Sequence, residues 1–128
     1  MSTYDYIRVA IIGCGLIGTD WDRNTPPDSP VRTHARAFSQ HPRAQLVALC
    51  DSHAERARCA ARYWQVPHSY SDPKLLFAEQ KIDLVVVSTP SDVRWQVIEP
   101  ALVSGVNALV IEKPLATTLD ESLRIVSA

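Results

Sequence analysis

Three of the chain's four glycines stand together in Gly13-Cys14-Gly15-Leu16-Ile17-Gly18, directly after the apolar run Val9-Ala10-Ile11-Ile12. No other feature constrains the fold as much. A glycine-rich turn that closes a buried strand and opens a helix marks the first βα turn of a doubly wound α/β sheet. Gly13 permits the tight turn, Gly15 removes a Cβ from the approach to a diphosphate, and Gly18 allows the next segment to pack closely. Main-chain N–H groups freed at such a turn bind anionic oxygens, and Cys14, Leu16 and Ile17 contribute theirs to the same cradle. The pattern alone also fits a turn without ligand, so its weight comes from its context.

The rest of the chain keeps the matching rhythm. Residues 7–12, 46–50, 84–87 and 108–111 are near-continuous apolar runs, as in strands covered on both faces, and His68-Ser69-Tyr70 reads as a weaker strand. Between them, Val31, Ala35 and Phe38 share one helical face. So do Ala54, Ala57, Ala61 and Trp64, and then Val93, Val97, Ala101 and Leu102. Asp72-Pro73 is a helix start, and Thr118-Leu119-Asp120-Glu121 is a capping-box pattern ahead of a last helix expected to face the core with Leu119, Leu123 and Val126. Pro100 is expected to kink or shorten its helix. Five β-α alternations with right-handed crossovers give an α/β Rossmann sheet in three layers, order 3-2-1-4-5, spanning 1–128 as one domain. Residues 19–32, with Pro26, Pro27 and Pro30, read as a loop inserted between the first strand and its helix. Either a short helical turn forms there, or the loop arches over a nucleotide and brings Trp21 and Asp22 near it.

The glycine fingerprint calls for an acidic residue at the end of the second strand. Asp51 is there, 33 positions after Gly18, and subtracting about 13 inserted residues restores the usual spacing of ~20. Its carboxylate, with Ser52 and Arg56 just beyond, then meets the adenosine ribose. A carboxylate repels a 2′-phosphate, which favours NAD over NADP, although Arg56 complicates that exclusion. The plainer alternative is that Asp51 only caps the helix beginning near His53. Ser88-Thr89-Pro90 follows the fourth strand beside the topological switch point and suits the nicotinamide ribose; it also reads as an ordinary turn. Glu112-Lys113-Pro114 follows the fifth strand at the same edge. A lysine there can hold a substrate hydroxyl and stabilise charge on its oxygen, though such a lysine is also a common solvated residue.

Composition excludes other classes. With 13 Lys and Arg against 14 Asp and Glu, there is no basic face for nucleic acid. No stretch approaches the ~20 apolar residues that cross a bilayer. Cys14, Cys50 and Cys59 fit no zinc spacing and read as reduced thiols, and the N-terminus lacks a signal-peptide pattern, so a cytoplasmic location is expected. His34, His41, His53 and His68 show no metal-ligand spacing; His34 opens a helix and is a candidate neighbour of the phosphates.

Taken together these segments resemble the N-terminal domain of the Gfo/Idh/MocA oxidoreductases. The likeness lies in residues 10–18, 46–51 and Ser88-Thr89-Pro90-Ser91-Asp92, and above all in Glu112-Lys113-Pro114-Leu115-Ala116. It implies a catalytic role for Lys113 and hydride transfer between NAD(P) and a sugar, cyclitol or related polyol. It also implies a second, C-terminal domain supplying the proton-transfer residue, and a homo-oligomer at full length. The family often has a histidine where this chain has Arg94, so a contact near the nicotinamide is expected to differ. The second domain is expected to lie beyond Ala128, and these 128 residues alone are expected to bind NAD without turnover. The alternative is a non-catalytic nucleotide-sensing module, which needs the glycine turn and Asp51 but not Lys113.

Overall fold

Five parallel strands form one sheet in the order β3-β2-β1-β4-β5. They are β1 Ile7–Ile12, β2 Ala44–Cys50, β3 His68–Tyr70, β4 Leu84–Val87 and β5 Ala108–Ile111. The structure is a computed structural model in which residues 6–128 are described; the reading of the extreme N-terminus falls on residues 1–5 and lies outside them. The helices are α1 His34–Gln40, α2 Ala54–Trp64, α3 Pro73–Glu79, α4 Arg94–Ser104 and α5 Leu119–Ser127. The expected strand order and alternation are therefore present.

Alternation along β1 explains the three layers. Val9 and Ile11 face α1 and α2, where Ala35, Ala57, Ala60 and Ala61 lie against them. Ala10 and Ile12 face the other way, toward Leu76 of α3, Val97, Ile98 and Ala101 of α4, and Ile125 of α5. All four β1 side chains are 0–2 % exposed, so each contributes burial on the order of 1–3 kcal/mol. One extra residue in β2, Val47, shifts the β1–β2 register between Val9 and Ala10.

Several helix expectations are corrected. Val31 precedes α1 and is exposed; Thr33 ends the loop instead, its hydroxyl accepting from the Arg36 N–H at 3.2 Å. Leu102 is exposed and Ile98 takes its place in the core. α4 continues through Pro100 to Ser104. Thr118 does cap α5, accepting from the Glu121 N–H, but the helix buries Ile125 and leaves Leu119, Leu123 and Val126 exposed. Among the described residues no helix is long and apolar enough to cross a membrane.

Candidate functional site

The three glycines of the first turn are each set in a different contact. Gly13 has φ +106°, and a Cβ there would lie 2.6 Å from the Ser88 carbonyl carbon. At Gly18 a Cβ would sit 2.1 Å from the Gly13 carbonyl oxygen. At Gly15 a Cβ would meet nothing within 4 Å. Two glycines are thus walled in by the fold, while the middle one faces open space.

A short helical turn, Leu16–Asp20, follows Gly15; it begins within the glycine fingerprint, and only Thr19 and Asp20 of it belong to the 19–32 insert. It is wide: the Asp20 and Trp21 N–H groups donate five residues back, to Gly15 and Leu16. The rest of the insert is fastened down. Asp22 is buried and accepts from the Arg32 and Thr33 amides at 2.8 and 2.6 Å and from the Thr33 hydroxyl at 2.9 Å. The Trp64 indole donates to the Thr19 carbonyl, and the Asn24 amide donates to the Tyr63 hydroxyl. Asp22 therefore braces the insert, whereas Trp21 reaches the cavity below.

A cavity of about 930 Å³ lies along the carboxyl ends of the strands. It brings together Gly13, Gly15 and Ile17 from the first turn, Asp51, Ser52 and Arg56 after β2, Ser88, Thr89 and Pro90 after β4, and Glu112 and Lys113 after β5. Cys14, Leu16 and Gly18 do not line it: Cys14 is fully buried, Leu16 projects into solvent, and Gly18 lies under Gly13. Trp21, His53, Arg94 and Gln96 line it in addition. Of these, Trp21 is expected near a nucleotide if the insert arches over it, and Arg94 carries a signal as the departure from the histidine pattern.

Asp51 is nearly buried and already engaged. One carboxylate oxygen accepts from the Cys14 N–H at 2.9 Å and the other from the His53 N–H at 2.9 Å. It thus ties the glycine turn to the start of α2, and the Arg56 guanidinium stands 3.8 Å away. Ser88 donates its hydroxyl hydrogen to the Gly13 carbonyl at 2.7 Å, locking the β4 turn onto the β1 turn. At the far end, Glu112 receives the His34 imidazole at 2.7 Å and the Lys113 amide at 3.3 Å. No sequence pattern signals that pairing of α1 with the β5 edge. The Lys113 side chain is exposed at the cavity, and its peptide bond to Pro114 is cis.

The neighbouring thiols are not nucleophiles. Burial, then the Asp51 carboxylate, pushes the Cys14 thiol far above its ordinary pKa. The same two causes raise Cys50 to about 12. Both stay protonated at neutral pH and serve as core residues. Among the described residues no group of three or more His, Cys, Asp or Glu side chains could hold a metal ion.

The geometry suits a dinucleotide: an open glycine face at one end, a carboxylate beside it, and polar groups and a lysine about the strand ends beyond. The family model described as "Oxidoreductase family, NAD-binding Rossmann fold", GFO_IDH_MocA, matches residues 7–128. The chain belongs to this family. It is 28% identical to D-apiose dehydrogenase of Paraburkholderia graminis over 99% of its own length and 30% of that protein's. It is 33% identical to inositol 2-dehydrogenase 2 of Saccharopolyspora erythraea over 95% of its length and 32% of the relative's. The crystal structure of myo-inositol 2-dehydrogenase from Lactobacillus plantarum superposes with a TM-score of 0.73 at 25% identity, covering 95% of this chain and 33% of that one. The chain thus spans about a third of the length of these relatives.

Proposed function

We propose that the chain is the cofactor-holding part of a dehydrogenase that moves a hydride between NAD and a carbinol carbon of a sugar, cyclitol or related polyol. The observation that carries this reading is the open face of Gly15, the one glycine of three that the fold itself does not need. A diphosphate lying against it explains the absence of a side chain. The substrate class follows the named relatives, which act on apiose and inositol by their descriptions.

Each residue has a part. Main-chain amides of the first turn hold the diphosphate. Asp51 meets the adenosine ribose with its remaining acceptor capacity, and its negative charge disfavours a 2′-phosphate, so NAD is preferred over NADP; the Arg56 guanidinium, 3.8 Å from that carboxylate, works against the preference. Ser88, Thr89 and Pro90 border the nicotinamide ribose. Glu112, held by His34, fixes the strand end from which Lys113 projects. Lys113 holds the substrate hydroxyl and stabilises negative charge on its oxygen. NAD supplies the hydride acceptor when bound. The free thiols Cys14, Cys50 and Cys59 support a reducing, cytoplasmic setting.

Calorimetric titration of NAD into the chain and into Gly15→Ala tests this. The variant is expected to melt within about 1 °C of the parent, because its methyl meets nothing. It is expected to bind NAD at least about tenfold more weakly, because the methyl occupies the diphosphate's approach. Equal affinity in both proteins rejects the cradle.

A further inference from the structure

We propose that Arg94 is a specificity-determining residue that takes a substrate carboxylate, so that the site selects an acidic sugar or polyol, an aldonate or uronate, over a neutral one. This rests on the reading above and deepens it by naming the substrate class.

Arg94 is the first residue of α4 and lines the cavity with Glu112 and Lys113. It is 3% exposed. Its Nε and Nη2 donate to the Thr89 carbonyl at 3.2 and 3.1 Å, but its Nη1 is buried without a hydrogen-bond partner. The Thr89 hydroxyl oxygen is buried and unpartnered as well. Among the described residues no carboxylate forms an ion pair with Arg94. Glu112 influences it through space, yet one oxygen of that carboxylate is already taken by His34.

The other buried arginine shows how this fold satisfies such a group. Arg36 faces Asp22 and also donates to the Thr25 hydroxyl and to the Pro26 and Pro27 carbonyls. Arg94 has a single carbonyl. A guanidinium removed from water without a counter-charge is destabilising, and burial accordingly lowers its pKa from the ordinary value, though arginine keeps its proton. A ligand anion restores what the protein leaves out.

Position decides which anion. The diphosphate cradle lies at the end of β1, under Asp51's reach. Arg94 is anchored past the end of β4, and its electrostatic neighbour is Glu112 at the end of β5. It therefore belongs to the Lys113 end of the cavity. Oxidised nicotinamide is itself cationic and gains nothing from a second cation beside Lys113. A carboxylate does, and Nη1, the guanidinium nitrogen that Thr89 leaves unpartnered, is the donor for a charge-assisted bond to it.

The test uses D-gluconate and its neutral counterpart D-glucitol as probes, titrated at constant ionic strength into the NADH-loaded chain and read by NADH fluorescence. Gluconate is expected to bind about tenfold or more tightly than glucitol, the ratio expected of one charge-assisted pair. In Arg94→Gln that preference disappears and in Arg94→Lys it is reduced, each read as the ratio of the two probes' affinities in the same NADH-loaded protein. Melting curves establish that the variants are folded, and the wild-type comparison stands without them. Gluconate binding no tighter than glucitol overturns the proposal, as does a preference that survives in Arg94→Gln. A tenfold loss of NADH affinity in Arg94→Gln with unchanged probe binding assigns the residue to the diphosphate and overturns it equally. The two probes are also titrated by calorimetry without NADH. A chain that fails to bind NADH then refutes the cofactor reading, while the carboxylate preference is judged on its own.

Discussion

Asp22 accepts hydrogen bonds from the Arg32 and Thr33 amides and the Thr33 hydroxyl, and faces the Arg36 guanidinium at 3.4 Å. Burial acts to raise its pKa, but the donors from Arg32 and Thr33 and the charge of Arg36 outweigh burial, and the group titrates below the usual carboxylate range. An acid whose pKa is depressed by folding contributes stability above its unfolded pKa of ~3.9, and that contribution is lost as pH falls through the folded value. Asp22→Asn is therefore expected to cost about 3 kcal/mol at pH 7, because Arg36 loses its counter-ion. The gap to the parent should narrow as pH falls below about 4. Urea denaturation across that range checks both, and a gap that stays constant into acid assigns the loss to shape rather than charge. The sequence exposed only part of this residue-level order. Glycine positions and the strand-end Asp51 were legible because backbone geometry restricts which residue fits there. Asp22 with Arg36 and His34 with Glu112 were not, since neither backbone geometry nor periodicity reports which side chains meet.

Elements were legible where a pattern had one physical meaning. A strand covered on both faces must be apolar throughout, and β1, β2 and β4 are largely so. Helical periodicity says less: it finds an apolar stripe without saying that anything lies opposite. Leu119, Leu123 and Val126 form such a stripe on α5 and remain exposed, and the edge strand β5 is also only half covered. Pro100 shows the same limit from the other side. Its lack of an N–H denies the Gln96 carbonyl a helical donor, and its ring crowds that turn, yet α4 runs on because Val97, Ile98 and Ala101 bury their side chains around it. Packing overrides the local penalty without removing it. Pro100→Ala is expected to stabilise the chain by about 1–2 kcal/mol, the restored hydrogen bond being partly offset by a freer unfolded chain. A urea midpoint that rises with an unchanged slope is the expected outcome; a fall shows that the ring's contacts matter more than its missing donor.

The cavity is assembled from loops after β1, β2, β4 and β5, so a ligand that fills it joins segments far apart in sequence. A ligand that binds only the folded state stabilises it by RT ln(1 + [L]/Kd), about 2.7 kcal/mol at a hundredfold excess over Kd. For a domain of this length that is a rise in Tm of about 10 °C. NAD is expected to produce this shift in the chain. At the same concentration it is expected to produce about half this shift or less in Gly15→Ala, because binding weakened tenfold leaves about 1.4 kcal/mol. Chemistry demands more than binding. Hydride transfer needs the substrate carbon held within ~3.5 Å of its acceptor, and an exposed ammonium such as Lys113 acts in water, where its charge is screened. The chain spans about a third of its relatives' length. With NAD and myo-inositol or gluconate it is accordingly expected to form no NADH, followed by absorbance over hours. A thermal shift without turnover separates holding the cofactor from positioning the substrate. Absence of the shift rejects NAD as the ligand of the cavity, and turnover by these residues alone shows that this cavity with its exposed Lys113 suffices for chemistry.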